Sequence, residues 1–200
     1  MLASHQMLYV PPIGRMMVFI DGENLTIRYE EMLKEGRDVR VEVKHQNGIY
    51  VWNDNDFVEH FQHFIVRTMY YTAACGSEDF LDEIRAEIAR FHLRAHPRNP
   101  LSPPHVATVH SGILPVVFKK PRSKPSKGVD IRITLDILSN CYMNNFDSMY
   151  LISGDADFIP VIEDVMRRGK KVHVAALSSG ASSKLRVAGD SFHLLDHFFF

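Results

Sequence analysis

Cysteine is nearly missing from this sequence: two, Cys75 and Cys141, in 200 residues. Two thiols cannot build a disulfide framework or a cysteine-based zinc site, and they read as reduced thiols of a cytoplasmic protein. An excess of either charge is lacking too. Lys and Arg number 23 against 24 Asp and Glu, a formal net charge of -1. Overall charge therefore does not signal a nucleic-acid partner, and any basic surface has to be local. No stretch approaches the roughly 18 consecutive apolar residues of a membrane helix, so no membrane partner is expected. Residues 1–15 lack the basic start and long apolar run of a signal peptide. The eleven histidines are scattered, and none is assigned to a metal. There is no internal repeat, and biased composition is confined to a proline-rich loop (96–105) and a basic loop (119–128).

What is present is an ordinary soluble composition, 46% hydrophobic and 24% charged, in a chain long enough for one domain with a real core. Residues 1–15 read as an extension and 16–200 as the domain. Short apolar, β-branched runs at 16–20, 64–72, 148–152 and 171–176 read as buried strands. Helical patterns follow at 25–35, 77–95, 129–144 and 158–168. In the third of these, Ile131, Leu135, Leu138 and Tyr142 form the expected buried stripe. Gln46-Asn47-Gly48 favours a hairpin turn within 40–52. Residues 53–63 fit neither pattern. Residues 106–110 and 113–118 read as two strands split by Ser111-Gly112, and 192–195 as a short edge segment. Strands alternating with helices call for a largely parallel sheet covered on both faces.

The chemistry concentrates in four aspartates. Asp21 follows the first strand. Asp155 and Asp157 follow the strand at 148–152, and Asp130 opens the helix leading into it. In open parallel sheets ligands bind beyond the carboxyl ends of the strands. If the two strands are neighbours, the acids meet at one edge, where crowded like charges are costly without a cation. Hard oxygen donors suit Mg²⁺ or Mn²⁺, which can activate water and hold a phosphoryl oxygen. The competing reading is that each Asp simply caps a helix; Asp157, just before Phe158 with Pro160 in the first turn, is the strongest cap candidate. Asp136 lies about 240° around the helix from Asp130 and reads as an outer partner. Tyr50, Trp52, Tyr70 and Tyr71 could stack bases, although strand aromatics more often fill cores.

Three motifs in order, FIDGEN at 19–24, KGVD at 127–130 and SGDADF at 153–158, resemble the NYN domain, a family of the PIN-like nuclease superfamily. GKKVHV at 169–174 and SKLRVAGDSF at 183–192 fit the same pattern, so the resemblance runs from about residue 16 to 195. It implies a PIN-like three-layer α/β/α sandwich with a central, mainly parallel sheet. It also implies a divalent-metal-dependent endoribonuclease, with Asp21, Asp130, Asp155 and Asp157 holding Mg²⁺ or Mn²⁺. By the same resemblance Asn24 contacts substrate or an outer shell, Ser153 orients the acids or a phosphate, and Lys127 neutralises a phosphate of an RNA substrate. The segment 40–53 and the two biased loops look longer than a minimal domain of this kind. Two rival readings stay open. One is a non-catalytic RNA-binding module with the same fold. The other is a haloacid-dehalogenase-like phosphohydrolase, in which Glu23 stands where a second Asp is usual. The sequence does not set an oligomeric state.

Overall fold

The computed structural model describes residues 14–54, 63–95, 109–121 and 128–200. The calls at 1–13, 55–62, 96–108 and 122–127, Lys127 among them, lie outside the described residues. β1 (Gly14–Asp21) runs straight into α1 (Gly22–Lys34); after it come the hairpin strands β2 (Val43–Gln46) and β3 (Tyr50–Asn53), then β4 (His63–Ala74). α2 (Glu78–Ile88), β5 (His92–Ala95), β6 (Val109–Lys119) and α3 (Val129–Tyr142) follow. β7 (Ser148–Ile152), α4 (Ile159–Arg167), β8 (Lys171–Ala176), β9 (Ser191–Leu194) and α5 (Asp196–Phe199) complete the order.

Seven strands form one sheet in the order β5-β6-β4-β1-β7-β8-β9. Every neighbouring pair is parallel except β5 against β6. The chain winds outward from β1 through β4 to β6, then crosses to β7 and winds the other way. The β1–β7 boundary is therefore the topological switch point, the place where open α/β sheets leave a crevice beyond their strand ends. Register aligns Ile20 with Ile152 across that boundary, so Asp21 and Ser153 leave the two strands side by side.

β1 and β7 are buried along nearly their whole length because both faces are covered, as the unbroken apolar runs require. On one face, α1 and α2 bring Leu25, Tyr29, Met32, Ile84 and Ile88 against Val18, Ile20 and Ile152. On the other, α3 and α4 bring Ile133, Ile137, Ile162 and Val165 against Phe19, Leu151 and Val174. This is the expected α/β/α sandwich. The hairpin forms where Asn47-Gly48 asked for one, with Gly48 at φ +66°. Tyr70 pins it to the body: its hydroxyl accepts from the Val51 N–H at 3.1 Å and donates to the Val51 carbonyl at 3.0 Å. Tyr50, Trp52, Tyr70 and Tyr71 are all buried and fill the core, not a base-stacking surface.

Four expectations need correction. α2 ends at Ile88, not near Ala95, and residues 92–95 instead form an edge strand that pairs antiparallel with 109–112. Residues 109–119 are one strand, uninterrupted at Ser111-Gly112; Pro115 fits because β5 pairs only as far as Gly112 and the outer side of β6 is open beyond it. α1 begins at Gly22, directly after Asp21, because the Asp21 carboxylate accepts from the Asn24 N–H and closes the first turn. Lastly, α3 buries Val129, Ile133, Ile137 and Cys141. The predicted stripe of Ile131, Leu135 and Tyr142 points outward, and Leu138 is only half-buried. The sequence of α3 carries two apolar stripes on opposite sides, and periodicity alone could not choose between them.

Candidate active site

The switch point gathers its residues through short hydrogen bonds. Asp21 is 2% exposed, and both of its oxygens are occupied. Oδ1 accepts from the Asn24 N–H at 3.0 Å, and Oδ2 accepts from the Ser153 hydroxyl at 2.9 Å. Ser153 in turn accepts from the Asp155 N–H at 3.1 Å. Asn24 Oδ1 accepts from the Gly154 N–H at 3.0 Å. The two strand ends are thus laced together by one Asp, one Ser and one Asn.

Two glycines make the close approach possible. A Cβ on Gly154 would stand 2.4 Å from the Gly180 carbonyl oxygen, and one on Gly22 would stand 2.0 Å from the Tyr70 ring. Both distances are far inside contact range, so these positions accept no side chain.

Burial pushes the Asp21 carboxyl up to about 7 from the usual 3.8, with the charges of Asp130 and Glu23 adding to the rise and the two hydrogen bonds opposing it. Asp130, in the first turn of α3, is also raised: desolvation first, then the charges of Asp155, Glu23 and Asp157. Asp130 is thus within electrostatic range of Asp21 on one side and of Asp155 and Asp157 on the other. A buried carboxyl raised by desolvation and by neighbouring carboxylates at a sheet's switch point is a candidate functional site.

The turn after β7 differs from expectation in one respect. Asp155, not Asp157, is the cap: its Oδ1 accepts from the Asp157 N–H at 2.9 Å at the start of a single 3₁₀ turn, Ala156–Phe158. α4 begins after that turn with no side-chain cap of its own, and Pro160 sits in its first turn. Capping engages one oxygen of Asp155, and Asp157 is left exposed. Asp136 accepts from the Tyr71 hydroxyl and from Arg132 Nε, both at 2.9 Å, which makes it the structural partner the helix rotation suggested.

Sequence reasoning missed two residues here. Glu23 bears electrostatically on both Asp21 and Asp130. Lys120, just past β6, reaches Glu23 at 3.4 Å and the Gly48 carbonyl at 3.5 Å, so the hairpin tip and a cation border the acids. Glu23 was legible as the fifth residue of FIDGEN. Lys120 was hidden among the five charges of the basic loop.

The donors fit a hard divalent cation in kind, being carboxylates without cysteine or histidine. As the side chains stand, no three His, Cys, Asp or Glu residues among the described residues are gathered closely enough to hold an ion. No helix among the described residues is long and apolar enough to cross a membrane.

The sequence model of the NYN domain matches residues 15–196. The uncharacterized protein MJ0482 of Methanocaldococcus jannaschii is 34% identical over 62 residues, a match covering 31% of this chain and 26% of that protein. The match thus spans about a quarter of that relative's length. The crystal structure of VPA0982, a protein of unknown function from Vibrio parahaemolyticus, superposes with a TM-score of 0.55 at 19% identity. That alignment covers 96% of this chain and 99% of the other, and it supports the fold.

Proposed function

The chain belongs to the NYN domain family of the PIN-like nuclease superfamily, and from that premise we propose that it is a divalent-metal-dependent endoribonuclease that hydrolyses RNA phosphodiester bonds. The observation that supports the reading is a chain of carboxyls beyond the switch point: Asp130 and Glu23 raise Asp21, and Asp155, Glu23 and Asp157 raise Asp130, each on top of a desolvation that is the larger cause. Asp21, Asp130, Asp155 and Asp157 would hold Mg²⁺ or Mn²⁺, which when bound lowers the pKa of a water and offsets charge on the reacting phosphate.

The remaining residues position and neutralise. Ser153 orients Asp21 Oδ2 and the Asp155 backbone together. Asn24 fixes Gly154, and with it the height of the Asp155 turn over α1. Lys127 and Lys120 supply positive charge for the RNA backbone on a protein that has none to spare overall. The compartment that suits this substrate, and the two unpaired cysteines, is the cytoplasm.

The test is incubation of labelled RNA and DNA with the purified protein in Mg²⁺, Mn²⁺ or EDTA, beside Asp155→Asn. Cleavage of RNA that needs the ion and the aspartate supports the proposal. RNA binding without cleavage in any ion favours a non-catalytic RNA-binding module instead. Hydrolysis of a small phosphomonoester through a trapped aspartyl-phosphate at Asp21 favours the phosphohydrolase reading.

A further inference from the structure

Arg28 stands on α1 one turn beyond Asn24, and nothing described above makes use of it. Its side chain lies against the single turn Ser178–Gly180 that follows β8: a Cβ on Gly180 would stand 2.6 Å from Arg28 Cγ, Cδ and Nε. The same Gly180 sets its carbonyl against Gly154, the residue before Asp155. Ser179 Oγ donates to the Arg28 carbonyl at 3.2 Å and ties that turn to α1. Arg28 is thereby held at the border of the candidate site.

The guanidinium is left with donors unfilled. Nε is buried and has no acceptor. Nη1 donates to Glu31 at 2.8 Å, the side chain's one polar contact among the described residues. That pair is three residues apart on a helix surface, with side chains 36% and 42% exposed, where a salt bridge contributes little. An arginine matched to its acceptor uses two parallel N–H bonds, and here one is used. A buried N–H of a charged group without an acceptor is costly. A phosphate presents the oxygens that this fork fits.

The two sides of α1 differ in what they offer a strand. Positions 23 and 30 face the hairpin: Glu23 meets Lys120, and Glu30 accepts from the Gly48 N–H at 2.6 Å and meets His45 Nε2 at 3.0 Å. That side is walled. Positions 24, 27 and 28 share an arc of about 100° on the remaining outer face, and Ile27 there is 47% exposed. An exposed apolar side chain beside an unfilled guanidinium suits a ribose and its phosphate rather than a free anion. Asn24 and Arg28 are about 6 Å apart along the axis, a step that one extended nucleotide spans. On the ribonuclease reading above, on which this inference rests, we propose that Arg28 binds the RNA phosphate next to the scissile one, with the intervening ribose over Ile27. Binding turns the fork off Gly180, so Nε gains the acceptor it lacks and Glu31 is released. The strand thus leaves the acids along α1 toward the Ser178–Gly180 turn.

The test is binding of a labelled single-stranded oligouridylate by the full chain carrying Asp155→Asn in Mg²⁺, read by fluorescence anisotropy over a range of salt. Adding Arg28→Gln is expected to weaken binding about tenfold, the worth of one charge-assisted bond. It should also lower the slope of log affinity against log salt by about 0.7, one phosphate of a single strand. Arg28→Lys is expected to keep the slope and lose about threefold, since the charge stays and the fork goes. Arg167→Gln, at the far end of α4, removes the same charge and is expected to change affinity by less than about twofold. Glu31→Gln frees the guanidinium and should tighten binding about twofold; it serves should Arg28→Gln not fold, and an affinity it leaves unchanged or weakens overturns the proposal. So does an equal effect of Arg28→Gln and Arg167→Gln, or an unchanged slope in folded Arg28→Gln. Failure of the nuclease reading shows separately, as RNA bound by the native chain without cleavage in Mg²⁺ or Mn²⁺, and the Arg28 comparison is still decided by affinity and slope. No binding by any chain overturns both.

Discussion

The two strand-to-helix junctions at the switch point carry the same residue type and treat it in opposite ways. At the end of β1, Asp21 is 2% exposed, with both oxygens hydrogen-bonded inside the protein. At the end of β7, Asp155 caps a single 3₁₀ turn with one oxygen, and Asp157 stands in solvent. The first junction is a structural anchor whose charge the fold resists. The second is a more exposed pair of carboxylates, one of them held by its capping bond. A carboxylate cluster built this way has a buried, doubly hydrogen-bonded inner member and more exposed outer ones.

The sharpest way to break the comparison is to neutralise each junction in turn. Asp155→Asn keeps an oxygen for the cap but removes the charge. RNA cleavage should fall by about a thousandfold, roughly 4 kcal/mol of barrier, while the thermal midpoint stays within about 2 °C. A parallel loss of stability would show that the outer junction is structural after all. Next is Gly154→Ala, whose Cβ has no room beside the Gly180 carbonyl. It should cost about 1–3 kcal/mol by overpacking and disturb both junctions at once, as read by urea unfolding.

Asp21→Asn tests the inner junction through pH. The folded protein holds the Asp21 proton up to about 7, whereas an unfolded aspartate releases it near 3.8. Between those values the folded state binds more protons. Stability therefore falls as pH rises across the window, by at most about 1.4 kcal/mol per unit, and levels off above it. In EDTA at pH 8, Asp21→Asn should be more stable than the native chain by about 1–2 kcal/mol and should lack that slope. Addition of Mg²⁺ or Mn²⁺ should raise the native midpoint and leave the variant nearly unmoved. Smallest is Ser153→Ala, which leaves Asp21 Oδ2 and the Asp155 N–H without their shared partner. A loss of about 1 kcal/mol is expected, with the pH window displaced upward, since one of the bonds that lower the Asp21 value is gone.

How much of this was readable beforehand depended on whether the signal was local. β1 and β7 are buried on both faces, so their unbroken apolar runs announced strands. Asn47-Gly48 announced its hairpin, and Ser77, which accepts from the Phe80 N–H, announced α2. The end of α2 was not local: residues 92–95 become a strand because 109–112 offer a ladder. Nor was the face of α3, since two apolar stripes satisfy the same periodicity and only the position of the sheet selects one. Within the candidate site, the placing of Asp21, Asp155 and Asp157 after strands and of Asp130 at a helix start was legible. Their division of labour was not. Asp157 looked like the cap because Phe158 looked like the helix start, and the intervening 3₁₀ turn moved that duty back to Asp155. Lys120 had no local signal, because its importance lies in where β6 ends relative to Glu23.

The hydrogen bond between Ser153 and Asp21 joins residues 132 positions apart, and that separation has a consequence for biosynthesis. β1 emerges from the ribosome before its partner on the β7 side, which comes some 130 residues later. At the 5–20 residues per second typical of translation, Asp21 waits about 7–26 seconds for Ser153. Throughout that interval the nascent chain contains the first acid but no assembled cluster. If the proposed cleavage needs the assembled cluster, a chain made in this order gains it only once the second half of the sheet has closed against the first.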